Sequence, residues 1–117
     1  MSPLPTPVNL KARLAAVEAL WSPEVVARLN GQEVRFARLQ GEFVWHSHAD
    51  EDELFLVVEG RLRILFRDGE VALGPGELVV VPRGVEHKPV ADEECRVLLF
   101  EPAETVPRGD AAEPYSP

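Results

Sequence analysis

A single cysteine, Cys95, stands in this chain of 117 residues, so no internal disulfide can staple the fold. It lies in Cys95-Arg96-Val97-Leu98-Leu99-Phe100, which reads as a strand, and a buried, inert thiol is expected there. No run of 18 apolar residues occurs, and no basic segment followed by an apolar stretch opens the sequence. Membrane insertion and export are therefore not expected, and the cytoplasm is the expected location. Lysine is scarce, two against ten arginines, and the arginines are dispersed along a chain of formal net charge -8. Nucleic acid is not an expected partner, because its phosphates call for clustered cations that release counterions on binding. The length suits one domain that buries roughly two-thirds of its unfolded surface and needs no staples.

Histidine is also rare, but all three copies fall in spaced motifs: His46 and His48 in Trp45-His46-Ser47-His48, and His87 after Pro82-Arg83-Gly84-Val85-Glu86. In a strand running through Glu42-Phe43-Val44-Trp45-His46-Ser47-His48, residues two apart leave the same face, so both imidazoles point one way. Neutral imidazole is the commonest side-chain ligand of transition metals, and two on one face form half a coordination shell. Glu53 is the carboxylate expected to join them, since it ends the acidic run Asp50-Glu51-Asp52-Glu53 and opens the apolar Leu54-Phe55-Leu56-Val57-Val58. Asp52 is the alternative at a shorter spacing. Asp50 and Glu51 read as solvated loop charge.

These residues resemble the cupin family. Its first motif is Gly, five residues, His-x-His, three or four residues, Glu, six residues, Gly; here Gly41, His46, His48, Glu53 and Gly60 take those places. Its second is Gly, five residues, Pro-x-Gly, two residues, His, three residues, Asn, matched by Gly76, Pro82, Gly84 and His87. Two departures stand out: four residues rather than five separate Gly41 from His46, and Ala91 replaces the final Asn. The resemblance implies that His46, His48, Glu53 and His87 bind one divalent transition metal, iron, manganese, nickel, copper or zinc, in the mouth of a barrel.

The remaining pattern is that of short strands. Asn9 reads as the cap of a short helix carrying Leu10, Leu14, Val17 and Trp21. Asn30-Gly31 marks a hairpin between Val25-Val26-Ala27-Arg28-Leu29 and residues 32–39, and Asp68-Gly69 marks another between residues 61–67 and 70–73. Leu78-Val79-Val80-Val81 reads as a strand buried on both faces. Residues 1–22 are expected to form an arm and short helix, 23–101 an all-β double-stranded β-helix, the jelly-roll barrel of the cupins, and 102–117 a loose or partly docked tail. Phe43, Trp45, Phe55, Val57 and Val80 are candidate walls for the metal site.

Three imidazoles and one carboxylate leave a divalent ion with one net positive charge and open positions, which suits catalysis better than a closed structural site. With the cupin resemblance, which implies dioxygenases or isomerases for this ligand set, the expected function is a metal-binding, small-molecule metalloenzyme of oxygenase type. A non-catalytic barrel that binds or senses a small ligand is the alternative, as is a sugar-phosphate-isomerase-like enzyme, for which only Arg83 and Lys88 could approach a phosphate. Glu42, Glu59 and Glu86 are the carboxylates available as a general base outside the ligand set. Exposed sheet edges and the Asn30-Gly31 hairpin, together with the resemblance, point to a homodimer.

Overall fold

The computed structural model describes residues 4–105 and 109–110. Helix α1 spans Leu10–Ala16 and starts as its cap demands, with the Asn9 side-chain oxygen accepting the Ala12 N–H at 3.0 Å. It stops before Val17 and Trp21, which the apolar spacing had placed on it. The reason lies in the sheet. Arg38 donates to the carbonyls of Val17 and Glu18, occupying acceptors that a longer helix would use, and the Trp21 N–H is taken by the Arg38 carbonyl at 2.9 Å. Val17 still buries, packing with Phe36 on the outer side of the sheet.

Seven strands follow: β1 Glu24–Leu29, β2 Gln32–Glu42, β3 Glu53–Glu59, β4 Leu62–Phe66, β5 Gly69–Leu73, β6 Leu78–Val81 and β7 Lys88–Pro102. All named pairings are antiparallel. Asn30 and Gly31 turn β1 into β2 with φ of 49° and 75°, the positive values that a two-residue hairpin matched to strand twist requires. The second hairpin turns one residue earlier than expected. Phe66 pairs with Gly69, so Arg67 and Asp68 form the loop and Gly69 belongs to β5.

The strands run in the order β1-β2-β7-β3-β6, and β4, with β5 on its far side, joins the first residues of β7. Strand β7 is thus the spine: its start pairs with β2 and β4, and its end pairs with β2 and β3. The sheet curls into the jelly-roll barrel, and the alternating inward residues Cys95, Val97 and Leu99 of β7 meet Ala37, Leu39, Phe55, Val57, Leu62 and Ile64 in one core. Cys95 is fully buried, and its thiol is pushed up to about 12 by burial, so it is inert.

Strand β6 departs from its apolar pattern. Among the described residues it pairs only with β3, at the sheet edge, and leaves Leu78 and Val80 56% and 47% exposed. A continuous apolar run cannot by itself distinguish a central strand from an edge whose outer face awaits cover.

Gly60, at the turn after β3, has φ of 86°, and a Cβ there would lie 2.8 Å from both the Cys95 Cβ and the Glu94 carbonyl oxygen. Gly60→Ala is expected to cost about 3 kcal/mol through strain and overpacking together. Urea denaturation measures this; a loss below about 1 kcal/mol contradicts the packing described.

Candidate metal centre

The segment bearing two of the histidines is extended without being a regular strand, contrary to the alternation argument. Beyond β2, Phe43 donates its N–H to the Pro89 carbonyl, and His46 and His87 exchange both backbone hydrogen bonds, at 3.0 and 2.9 Å. Three steps from Phe43 to His46 face only two from Pro89 to His87, so the ladder carries a bulge. Pro89, lacking an N–H, cannot return the bond to Phe43. Locally the expected geometry survives: His46 and His48 are both buried, on either side of Ser47. Glu53 opens β3 and His87 immediately precedes β7, and both are buried as well.

One ligand atom from each of His46, His48, Glu53 and His87 lies within 4.8 Å of every other. The imidazoles are aimed by backbone carbonyls. His46 Nδ1 donates to Val44 O at 2.9 Å and His87 Nδ1 to Val85 O at 3.0 Å, which places a ring proton on Nδ1 and reserves Nε2 for a metal. Among the described residues the buried Nε2 atoms of His48 and His87 have no hydrogen-bond partner, and they lie 3.6 and 3.5 Å from Glu53 Oε1. Buried nitrogen atoms left unpaired are costly, and a cation among them removes the cost. The donor set therefore fits a divalent metal.

Electrostatics prepare the same state. Burial, reinforced by the neighbouring His87, pushes His46 down to about 4, so its ring is neutral at physiological pH. Burial opposes ionisation of Glu53, yet the ring nitrogens of His48 and His87 hold its carboxyl well below the usual range. Glu101, the next buried carboxyl, goes the opposite way: burial and the adjacent Glu53 charge push it up to about 10. It is held by Arg35, which donates from Nη1 at 2.9 Å while also bonding Glu33. The shift favours a proton on Glu101 beside Glu53, and Arg35 anchors the carboxyl from behind.

Neither Glu101 nor Arg35 emerges from motif reading, but strand alternation contains them. Glu101 follows Cys95, Val97 and Leu99 on the inward face of β7, and Glu33 and Arg35 precede Ala37 and Leu39 on that of β2. By contrast, the three carboxylates first considered as bases are engaged with cations, Glu42 with Lys88, Glu86 with Arg67 and Glu59 with Arg96. Asp52 pairs with Arg83 rather than joining the ligand group.

Beside His46 and Glu53 lies a cavity of about 30 Å3 walled by Trp21, Pro23, Leu39, Phe43, Phe55, Pro89 and Leu99. Of the aromatic and apolar residues expected as walls, Phe43 and Phe55 serve. Val57 lies in the core, Val80 is exposed, and Trp45 carries the Arg67 guanidinium 3.8 Å over its ring. Trp21 forms part of the chamber wall, stacked on Phe43 at 4.9 Å and donating from Nε1 to Gln40 O at 2.9 Å.

In the metal-free protein Glu101 holds its proton when folded and loses it on unfolding above its ordinary value of 4.5. Its folded pKa is the higher one, so its contribution to stability is full below 4.5 and declines as pH rises toward the folded value. Glu101→Gln removes this proton release. The stability of that variant relative to wild type is expected to increase from about pH 5 to about pH 9 in urea unfolding; a constant difference contradicts the assignment of the proton.

The description of the cupin domain matches residues 32–101, from the start of β2 to Glu101. A cupin-2 domain containing protein of Shewanella frigidimarina is 46% identical, with a TM-score of 0.80 over 81% of this chain and 93% of that one. A protein of Neisseria meningitidis is 34% identical, with a TM-score of 0.76 over 84% of this chain and all of that one. Among curated proteins, the uncharacterised protein YdbB of Bacillus subtilis is 42% identical over 64 residues, 54% of this chain and 57% of that protein. The chain belongs to the cupin family.

Proposed function

We propose that this cupin is a small-molecule metalloenzyme of oxygenase type, with one divalent transition metal held by His46, His48, Glu53 and His87. The observation that carries the reading is the convergence of four buried ligand atoms with two imidazole nitrogens unpaired among them. Iron, manganese, nickel, copper or zinc on this donor set supplies a Lewis acid with open positions and, for the redox-active ions, electron transfer. Glu53 balances part of the ionic charge. Phe43, Phe55 and Trp21 give the chamber apolar walls, beside which charge interactions are stronger than in bulk water. Glu101 stands beside Glu53 as a buried carboxyl held by Arg35, close enough to the ligands to take part in proton movement.

Among the described residues the chamber walls carry no lysine or arginine, and Arg83 and Lys88 are paired elsewhere, with Asp52 and Glu42. This favours an uncharged chelating substrate over a sugar phosphate. Trp21, stacked on Phe43, is the bulkiest side chain of the wall and sets how large a chelator the chamber admits. Anaerobic loading with each metal, followed by O2-uptake and product screening over diketones, phenols, thiols and sugar phosphates, tests the reading. Turnover of an uncharged chelator is expected, with Trp21→Ala accepting bulkier members of that class. Saturable ligand binding without product under every metal supports the alternative, a non-catalytic binding or sensing barrel.

The protein acts as a homodimer in this reading, because β6 offers an unpaired edge with Leu78 and Val80 exposed, a surface that a second copy can cover. Sedimentation at micromolar concentration is expected to give twice the 13.0 kDa chain mass, and a Val80→Lys variant to shift toward monomer. A wild-type monomer rejects the assembly.

A further inference from the structure

Two ligands of the proposed centre hang from a segment that the sheet barely holds. Between the end of β2 at Glu42 and the start of β3 at Glu53, the described backbone bonds to the rest of the barrel are those of Phe43 with Pro89, His46 with His87, and His48 with Gly84. The residue between the two ligands, Ser47, is held from elsewhere. Its N–H donates to Asp110 Oδ1 at 2.6 Å, its hydroxyl to Asp110 Oδ2 at 2.9 Å, and its carbonyl accepts the Asp110 N–H at 3.0 Å. Every polar group of Ser47 is thus matched by one residue 63 positions away.

The peptide planes on either side of Ser47 are those that carry His46 and His48. Binding both planes to a single aspartate fixes the angle between the two imidazoles. Gly109 makes the approach possible: it has φ of 52°, and a Cβ there would fall 2.2 Å from the Ser47 carbonyl oxygen and 3.2 Å from His46 Cδ2. Both residues lie past the matched cupin domain, which ends at residue 101.

We infer that Gly109 and Asp110 are positioning residues of the metal centre, a C-terminal clasp that sets the spacing of His46 and His48 and slows release of the ion. The inference rests on the metal reading above for its consequence, and on the Ser47 hydrogen bonds for its geometry. Groups that orient metal ligands without touching the metal change its affinity by about 10–100-fold when removed. Ser47→Ala, which deletes one of the three bonds, gives the smallest effect. Asp110→Ala and Gly109→Ala each break the clasp by a different route, one chemical and one steric, so the double variant is no worse than either alone.

The test uses the full chain loaded with Co(II), whose absorbance reports ligand geometry, and a chromogenic chelator to time its release. Asp110→Ala and Gly109→Ala are expected to release Co(II) at least about tenfold faster than wild type with an altered visible spectrum, while the melting temperature of the metal-free protein is unchanged. Asp110→Asn, which retains an acceptor for the Ser47 N–H, recovers part of the loss. Release at the wild-type rate in both variants overturns the clasp, as does a fall in metal-free stability that accounts for faster release. If wild type binds no Co(II), the metal reading fails by itself. The clasp is then judged by hydrogen exchange at the Ser47 amide, protected in wild type and fast in Asp110→Ala if the inference holds, equal in both if it does not.

Discussion

The negative charge of Glu53, carried almost out of contact with water at the start of β3, is the constraint around which the barrel interior is arranged. An isolated buried carboxylate is expensive enough that it either neutralises or acquires partners. Here the partners come from three directions. His48 and His87 face it with unpaired nitrogen atoms, Glu101 keeps a proton beside it, and Arg35 holds Glu101. A cation among the imidazoles completes this arrangement, whereas a neutral site leaves buried Nε2 atoms unpaired.

The irregular parts of the fold sit where this cluster needs them. A regular ladder beyond Glu42 would pair each residue of the 43–46 segment in turn; Pro89 interrupts it, and the resulting bulge re-aims His46 toward Glu53. Strand β7 serves both ends of the site. Immediately before its first residue lies His87, and near its last lies Glu101, so one element positions both a proposed ligand and the buried carboxyl beside Glu53. Outside the cupin domain, Trp21 adds a wall to the apolar chamber and Asp110 ties Ser47, so flanking segments finish what the barrel begins.

Much of this was legible in the sequence, for physical reasons that differ from place to place. The ligand group stood out because the only three histidines and Glu53 occupy motif spacings that converge when the barrel closes. The Asn30-Gly31 hairpin was legible because positive φ at two successive positions narrows the choice of residues. The bulge was not, since it depends on the partner Pro89 rather than on the histidine segment itself. The edge position of β6 was hidden because an apolar run looks alike in a central strand and in an edge strand. Glu101 was available to a stricter reading of alternation in β7. Asp110 was not, because its docking consists of hydrogen bonds to Ser47 and leaves no apolar signature.

X-ray absorption at the metal edge of the reconstituted protein addresses the central claim most directly. The account predicts one metal per chain with three imidazole nitrogens and one carboxylate oxygen from the protein, and loss of one nitrogen scatterer in a His87→Gln variant. Coordination by fewer than three imidazoles, or an unchanged shell in that variant, contradicts it.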